Sequence, residues 1–333
     1  MARILRRWRA LTGDKHTRDH DRRTLVACSA GADSVALAVA LASVPGACVL
    51  AHIRHDVRDD QSTAEDLAHE DNLARRLGVA CTHARVRVRS LPGNQEANAR
   101  NARYDALIGL AREHDCPFIA TGHHADDQLE TLLMHLMRGS GTRAMGGMQP
   151  VTPIGGCSIV RPMLDITRAE IESMLHELGI AWREDETNLD TEYTRNRIRH
   201  ELLPVLRGLD PQIAIHAARW AADLSAMQQI IDSQLRSDLL STCTVDGTRW
   251  RWHREQLRQQ PGLMLGYLPG MYCRDVLGNR GRDSITRNAI ESWIRSVKSD
   301  ATDPSEHRIG PIISRVRARS VGFEPAHSVQ EPE

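Results

Sequence analysis

Paired cysteines are missing from this sequence. Seven cysteines stand at positions 28, 48, 81, 116, 157, 243 and 273. No two are spaced C-x-x-C, so zinc knuckles and dithiol redox motifs have no support. Cys28, Cys48 and Cys81 fall in strand-like runs, where a free thiol behaves as a small hydrophobe. Long apolar runs are also missing, and none approaches the roughly 20 residues a helix needs to cross a bilayer. The N-terminus, MARILRRWRALTGDKHTRDHDRR, is charged and carries no signal-peptide apolar region, so a cytoplasmic protein is expected. Aromatics are 4% of the 333 residues, which leaves the core to Leu, Val, Ile, Ala and Met. Lysine is almost absent: Lys15 and Lys298 are two of 43 basic residues. Arginine favours bidentate contact with phosphate, although a GC-rich genome alone also favours it over lysine.

Net charge is zero but unevenly spread. Residues 219–320 hold 16 Arg/Lys against 11 Asp/Glu, a net of +5. Residues 1–218 hold 27 against 29, a net of −2.

Strands are expected at Thr24–Cys28, Cys48–Ile53, Val79–Val88 and Phe118–Thr121, from apolar, β-branched runs. Helices are expected at Asp33–Ser43, Ser62–Leu77, Asn94–His114 and Ala125–Met137. Such alternation predicts an α/β fold, a parallel Rossmann-like sheet with helices on both faces. Ligands of such sheets bind beyond the C-terminal strand ends, where SAGADS, HIRHD and TGHHADDQLET fall. Residues 138–156, rich in Gly and Pro, are expected to form a long loop. A helix is expected over Arg168–Leu178, capped by Gly179. Pro211 opens a long helix over about 212–240, which links to a second unit over about 245–325. The domains expected are an N-terminal extension (1–22), an α/β domain (23–206), a linker helix with a second domain (207–325) and a disordered tail (326–333).

Between the first strand and its helix lies Ser29-Ala30-Gly31-Ala32-Asp33-Ser34. Small residues let backbone N–H groups approach an anion, and a helix N-terminus adds its partial positive charge. An ordinary Ser/Asp N-cap would read the same way. No G-x-x-x-x-G-K-S/T and no G-x-G-x-x-G occurs here. The segment resembles the PP-loop, S-G-G-x-D-S, of the ATP pyrophosphatase enzymes, which cleave ATP between its α and β phosphates. That resemblance implies ATP as co-substrate and Mg²⁺ held by Asp33. Ala30 stands where the pattern has Gly, which is harmless at negative φ and costs about 1 kcal/mol or more at positive φ.

In TGHHADDQLETLLMHLMRGSG, Thr121–Gly141, the residues His123, Asp127 and Glu130 stack on one helix face. Leu129, Leu132, Leu133 and Leu136 are placed to cover the other side. Two carboxylates on one face would hold Mg²⁺ or a cationic substrate. A surface charge cluster and a His/Asp transition-metal site are the competing readings.

Extended to Met148, this segment resembles the signature of the tRNA(Ile)-lysidine synthetase family. AHIRHDVR, EANARNARYDAL, IVRPMLDITRAEI and WREDETNLDTEYTRNRIRHELLP resemble further family segments in the same order, over about 24–206. The resemblance implies a PP-loop ATPase (adenine nucleotide α-hydrolase-like) catalytic domain with a smaller C-terminal tRNA-recognition domain. It also implies a ligase that joins free L-lysine to C2 of the wobble cytidine of an isoleucine tRNA with a CAU anticodon. The cytidine is first adenylated by ATP, and AMP and pyrophosphate leave. Ser29, Ala30, Gly31, Ala32, Asp33 and Ser34 would then hold the phosphates, with His52 and Ile53 beside the adenosine. Asp127 and Glu130 would bind the lysine ammonium groups, and a carboxylate or His123 would take the amine proton. Arg195 would face a phosphate or the developing charge, with Arg100 and Arg103 as weaker candidates. Trp182 with Glu184 and Asp185 serves a site role or is merely a packed turn.

The tRNA body would fall to the basic C-terminal part. Arg249, Trp250, Arg251, Trp252 and Arg254 interleave Arg with Trp, which suits base stacking and phosphate contact and equally suits an amphipathic strand. Arg315 and Arg317 occupy the open face of another alternating strand. A PP-loop tRNA thiolase and a catalytically silent nucleotide- or RNA-binding module are the alternatives. No membrane partner is expected, and a homodimer is among the assemblies left open.

Overall fold

The computed structural model describes residues 1–55, 60–88, 95–139, 146–183, 194–278, 281 and 284–326. They cluster into two compact units: Met1–Arg138 with Gly147–Ala222, and chiefly the chain from Asp223 on. No helix among the described residues is long and apolar enough to cross a membrane.

The first unit runs α1 (Ala2–Leu11), β1 (Thr24–Ala27), α2 (Ala32–Ala42), β2 (Cys48–His55), α3 (Asp60–Leu77), β3 (Ala80–Val86), α4 (Gln95–Glu113), β4 (Phe118–Ala120) and α5 (Ala125–Met137). It continues through β5 (Val151–Ile154), β6 (Cys157–Val160), α6 (Arg168–Glu177), α7 (Thr194–Arg197), α8 (Leu203–Leu209) and the start of α9 (Ile213–Leu235). The sheet order is β3-β2-β1-β4-β6-β5, and all neighbours are parallel except β5 with β6. Every residue of β1 is buried: Leu25 and Ala27 pack in one cluster, Val26 in the other. This two-faced burial is why the central strands read as continuous apolar runs.

The expected strands and helices of this unit are present, their ends differing by at most two residues. Residues 138–156 are not one loop throughout. Val151–Ile154 and Cys157–Val160 form a hairpin around Gly155 and Gly156, whose φ values are +52° and +82°. A Gly-Gly pair between short apolar runs is a hairpin signal, which Pro153 obscures. Ser140 to Met145 of the same stretch lie outside the described residues. The first 22 residues are part of this unit's core rather than an appendage. Ile4 and Trp8 are buried, and the Trp8 indole N–H donates to Thr24 Oγ1 at 2.9 Å.

The second unit receives the end of α9, a π turn at Arg236–Leu240, and then β7 (Thr244–Asp246), β8 (Arg249–His253), α10 (Arg254–Gln259), α11 (Gly262–Leu277), α12 (Arg287–Lys298), β9 (Ser305–Ile309), β10 (Ile312–Val316) and β11 (Ser320–Pro325). Its sheet is antiparallel, in the order β7-β8-β11-β10-β9. The expected helix over 212–240 is thus α-helical only to Leu235. Trp250 and Trp252 decide the question the sequence left open. Both are buried, and their rings pack edge-on with Tyr272 and Phe323 at 5.2 and 5.4 Å. They are core residues, so their faces are not offered to bases. Arg254 is likewise buried and donates to the carbonyls of Ser296, Val297, Ser299 and Ala301. It closes the C-terminal end of α12, where a cation matches orphan carbonyls and the helix dipole. Of the expected tail, Ala326 is described and buried, and the rest lies outside the described residues.

Candidate active site

The site grows from the C-terminal ends of β1, β2 and β4. After β1 the chain turns sharply, with Ala30 at φ +61° and fully buried. That is the left-handed conformation in which a Cβ is strained. The turn holds itself closed. The Ser34 hydroxyl accepts from Ser29 N–H at 3.1 Å and donates to Gly31 O at 3.0 Å. The Arg183 N–H donates to Ala30 O at 2.9 Å. The Ser34 hydroxyl and Ser29 N–H are therefore committed within the turn. The Ser29 hydroxyl and the first-turn N–H groups of α2, at Ala32, Asp33 and Ser34, are the donors suited to a phosphate.

Gly122 follows β4 against this turn. A Cβ there would stand 3.0 Å from the Asp33 carbonyl carbon and the Ser34 nitrogen. Only glycine lets β4 and the head of α2 approach so closely, and the approach brings Asp33 to His124. Asp33 Oδ1 is buried without a hydrogen-bond partner. A carboxylate oxygen orphaned beside a phosphate cradle is a fitting ligand for Mg²⁺.

His124, absent from the sequence-based site, lies at the centre of the acidic side. It is 2% exposed, with Asp33, Asp126 and Asp127 carboxylate oxygens at 3.5, 3.5 and 3.4 Å. Burial alone would lower its pKa, but Asp127, Asp126 and Asp33 outweigh it and raise the value to about 10. His124 is therefore a buried imidazolium. Burial would raise the pKa values of Asp33 and Asp126, but His124 above all holds both low. Asp126 is a structural brace. It accepts from the Arg168 N–H at 2.8 Å and from Arg207 at 2.7 Å, tying α5 to the head of α6 and to α8.

Asp127 and Glu130 do share one face of α5, as their spacing predicts, and arginines cover them. Glu130 is fully buried and accepts from Arg195 Nε at 2.8 Å and Arg199 Nε at 2.6 Å. Arg199 also reaches Asp127 Oδ1 at 3.0 Å, and Arg195 stands 3.6 Å from it. Arg195 is thus on a carboxylate rather than free for a phosphate. Arg199 was missed by sequence reasoning, although it repeats Arg195 at i+4. The two share a face by that spacing alone, and the helix runs on from α7 through a π turn, Ile198–Leu202, into α8. Pro204 has no N–H for the regular helical bond, so the helix widens just before it.

His123 points the other way. Its Nδ1 is 2.8 Å from Thr121 Oγ1. With Ala99, Arg100, Arg103, Tyr104 and Thr121 it lines a cavity of about 200 Å³. The Arg100 guanidinium sits 5.2 Å over the Tyr104 ring. Burial, then Arg161, Arg195, Arg100 and Arg103, push the His123 pKa well below its ordinary value. It is a neutral imidazole and a weak base.

His52 ends up buried at the end of β2, with Ile53 beside it partly buried. Trp182 packs edge-on against His176 at 4.9 Å. Glu184 and Asp185 lie outside the described residues. In the second unit, Arg249, Arg251, Arg315 and Arg317 are exposed. Arg315 is bracketed by Glu306 at 3.0 Å and by Glu324, and Arg249 stands 3.5 Å from Glu324.

A strand–turn–helix phosphate cradle with an orphaned carboxylate defines a nucleotide-binding α/β protein, and the family model of the PP-loop domain matches residues 3–206. Curated relatives named tRNA(Ile)-lysidine synthase narrow this. The one from a Nostoc species is 33% identical, over 74% of this chain and 76% of its own length. That from Rhodopirellula baltica is 33% identical, over 77% and 70%. That from Pseudomonas fluorescens is 35% identical, over 75% and 55%. The chain belongs to the tRNA(Ile)-lysidine synthase family, and it spans about half the length of several curated relatives it matches. Among solved structures, the U34-tRNA thiolase NcsA from Methanococcus maripaludis, with its 4Fe-4S cluster, is 15% identical. It covers 67% of this chain and 78% of its own, with TM-score 0.55, a likeness of fold.

Proposed function

We propose that this protein ligates free L-lysine to C2 of the wobble cytidine of a CAU-anticodon isoleucine tRNA, in the cytoplasm, consuming ATP. The carrying observation is the pair Asp127 and Glu130, buried on one helix face and balanced by Arg195 and Arg199. Two buried carboxylates held by partly exposed arginines make a cation-exchange site. A lysine ammonium that takes an arginine's place on Glu130 frees Arg195 to face the phosphate of the adenylated cytidine.

The first-turn N–H groups of α2 and the Ser29 hydroxyl hold the ATP phosphates, with His52 and Ile53 beside the adenosine. Asp33 would hold Mg²⁺, which when bound offsets phosphate charge and polarises the α-phosphorus. The cytosine O2 attacks that phosphorus and pyrophosphate leaves. The lysine ε-amine then attacks C2 and AMP leaves. Its proton passes to the Asp127–Glu130 pair, since arginines make His123 a weak base. Arg100 and Arg103 offer their charge to a tRNA phosphate beside the wobble base, which a single-stranded loop exposes without melting a duplex. Arg249, Arg251, Arg315 and Arg317 are the residues left to contact the tRNA body, since Trp250, Trp252 and Arg254 are committed to the core.

Purified protein, ATP, Mg²⁺, labelled lysine and an isoleucine tRNA transcript with a CAU anticodon test this reading. ATP-dependent lysine incorporation is expected. Sulfur incorporation instead, or no tRNA-dependent pyrophosphate release, overturns it.

A further inference from the structure

The geometry points to a second site, for a borderline-soft divalent cation such as Zn²⁺, built by Glu70, Cys81 and His83. It lies where α3 covers β2 and β3. Cys81 and His83 are two residues apart on β3, so their side chains leave the same face of the strand. Cys81 Sγ is 3.9 Å from His83 Nε2. One ligand atom from each of Glu70, Cys81 and His83 lies within 4.8 Å of the others. Tetrahedral zinc with bonds of about 2.3 Å to sulfur and 2.0–2.1 Å to nitrogen sets those two ligands about 3.5 Å apart. A small side-chain adjustment closes the difference.

Glu70 is the observation that demands a partner. It is 0% exposed, and neither Oε1 nor Oε2 accepts a hydrogen bond. His52 Nδ1 lies 2.8 Å from Oε2, but the ring nitrogen is directed at the Cys28 carbonyl, 3.3 Å away. The Cys28 thiol also lies against the Glu70 carboxylate, but a thiol is a weak donor and leaves the charge poorly compensated. A buried carboxylate without directed donors is costly, and a metal ion meets that need. Asp71 Oδ1 lies 3.1 Å from His83 Nε2 but stands outside this three-residue group, so it orients the imidazole and the fourth position is left to water. His52 then buttresses Glu70 from outside, the usual arrangement around a ligating group. Sulfur, imidazole and carboxylate together select zinc or cobalt over magnesium or calcium, which take oxygen donors.

The test uses the full chain, stripped with a chelator and titrated with Co²⁺ alone. One equivalent should bind, with thiolate-to-cobalt charge-transfer absorption that Zn²⁺ abolishes by displacement. Cys81→Ser should lose that absorption, and His83→Gln should weaken binding by about tenfold or more. Cys243→Ser, at another partly exposed thiol, should keep both. His83 is an exposed strand residue, so its variant reports even if Cys81→Ser misfolds. Absence of stoichiometric cobalt binding overturns the proposal. So does binding unchanged in both Cys81→Ser and His83→Gln.

Discussion

His123 and His124 are adjacent in sequence and opposite in chemistry. His123 faces a cavity edged by arginines and is held neutral. His124 faces three aspartates and is held charged, its pKa raised to about 10. The peptide step between β4 and α5 sends one side chain to each region, so a single turn of backbone separates an anion-attracting pocket from a cation-attracting knot. Neighbouring groups with pKa values driven apart are a means of running acid and base chemistry at one pH. Arg195 stands between the two regions, bonded to Glu130 and felt electrostatically at His123.

The harshest way to break the comparison is Asp33→Asn. Losing the orphaned carboxylate should cut tRNA-dependent pyrophosphate release by about 10³-fold or more, roughly 4 kcal/mol. Retention of release within tenfold would remove Asp33 from the metal role. His124→Asn comes next, because it takes the cation from a buried cluster of three carboxylates, leaving Asp33 without an ion-pair partner, and should destabilise the fold by about 3–5 kcal/mol in chemical denaturation. The wild-type protein carries the matching pH signature. The His124 pKa is higher folded than the ordinary 6.5, so its stabilisation is complete below pH 6.5 and is lost as pH rises towards 10. Melting temperature should fall across that window in the wild type, and the slope should flatten in His124→Asn. Equal slopes would mean that His124 is neutral in the fold.

Glu130→Gln should raise the KM for lysine by about 10- to 100-fold, the cost of a charge-assisted contact, while adenylation persists. Unchanged lysine dependence would move the lysine site elsewhere. Ala30→Gly relieves the strain of φ +61° and should stabilise the protein by up to about 1 kcal/mol, less the lost burial of one methyl. A lower melting temperature would mean that the methyl's packing outweighs the strain. Smallest is Arg103→Ala, expected to lower turnover only a few-fold, under about 1 kcal/mol. Its sharper readout is the His123 resonance in an NMR titration, whose pKa should rise towards the ordinary value.

The sheet was legible because β1, β2 and β4 are apolar runs that alternate with helical stretches of ordinary length. The site was legible where one motif supplies both spacing and chemistry, as Asp127 and Glu130 do on α5. His124 was not, because what charges it is Asp33, brought from another strand end by the close approach at Gly122. Arg199 was hidden for a different reason: no helix was expected after the acidic turn, so its i+4 spacing from Arg195 was not read as one face. Trp250 and Trp252 alternate with arginine whether they stack on bases or pack a core, and only the position of Tyr272 and Phe323 behind them decides.

Pro153 has a consequence beyond the hairpin it sits in. β5 forms one border of the first sheet, and a border strand offers unpaired N–H groups to any extended chain that drifts against it. Proline removes one donor from a strand only four residues long. A second molecule, or the protein's own half-made chain, finds no continuous ladder to extend there. The sheet therefore ends at β5 instead of templating its own aggregation.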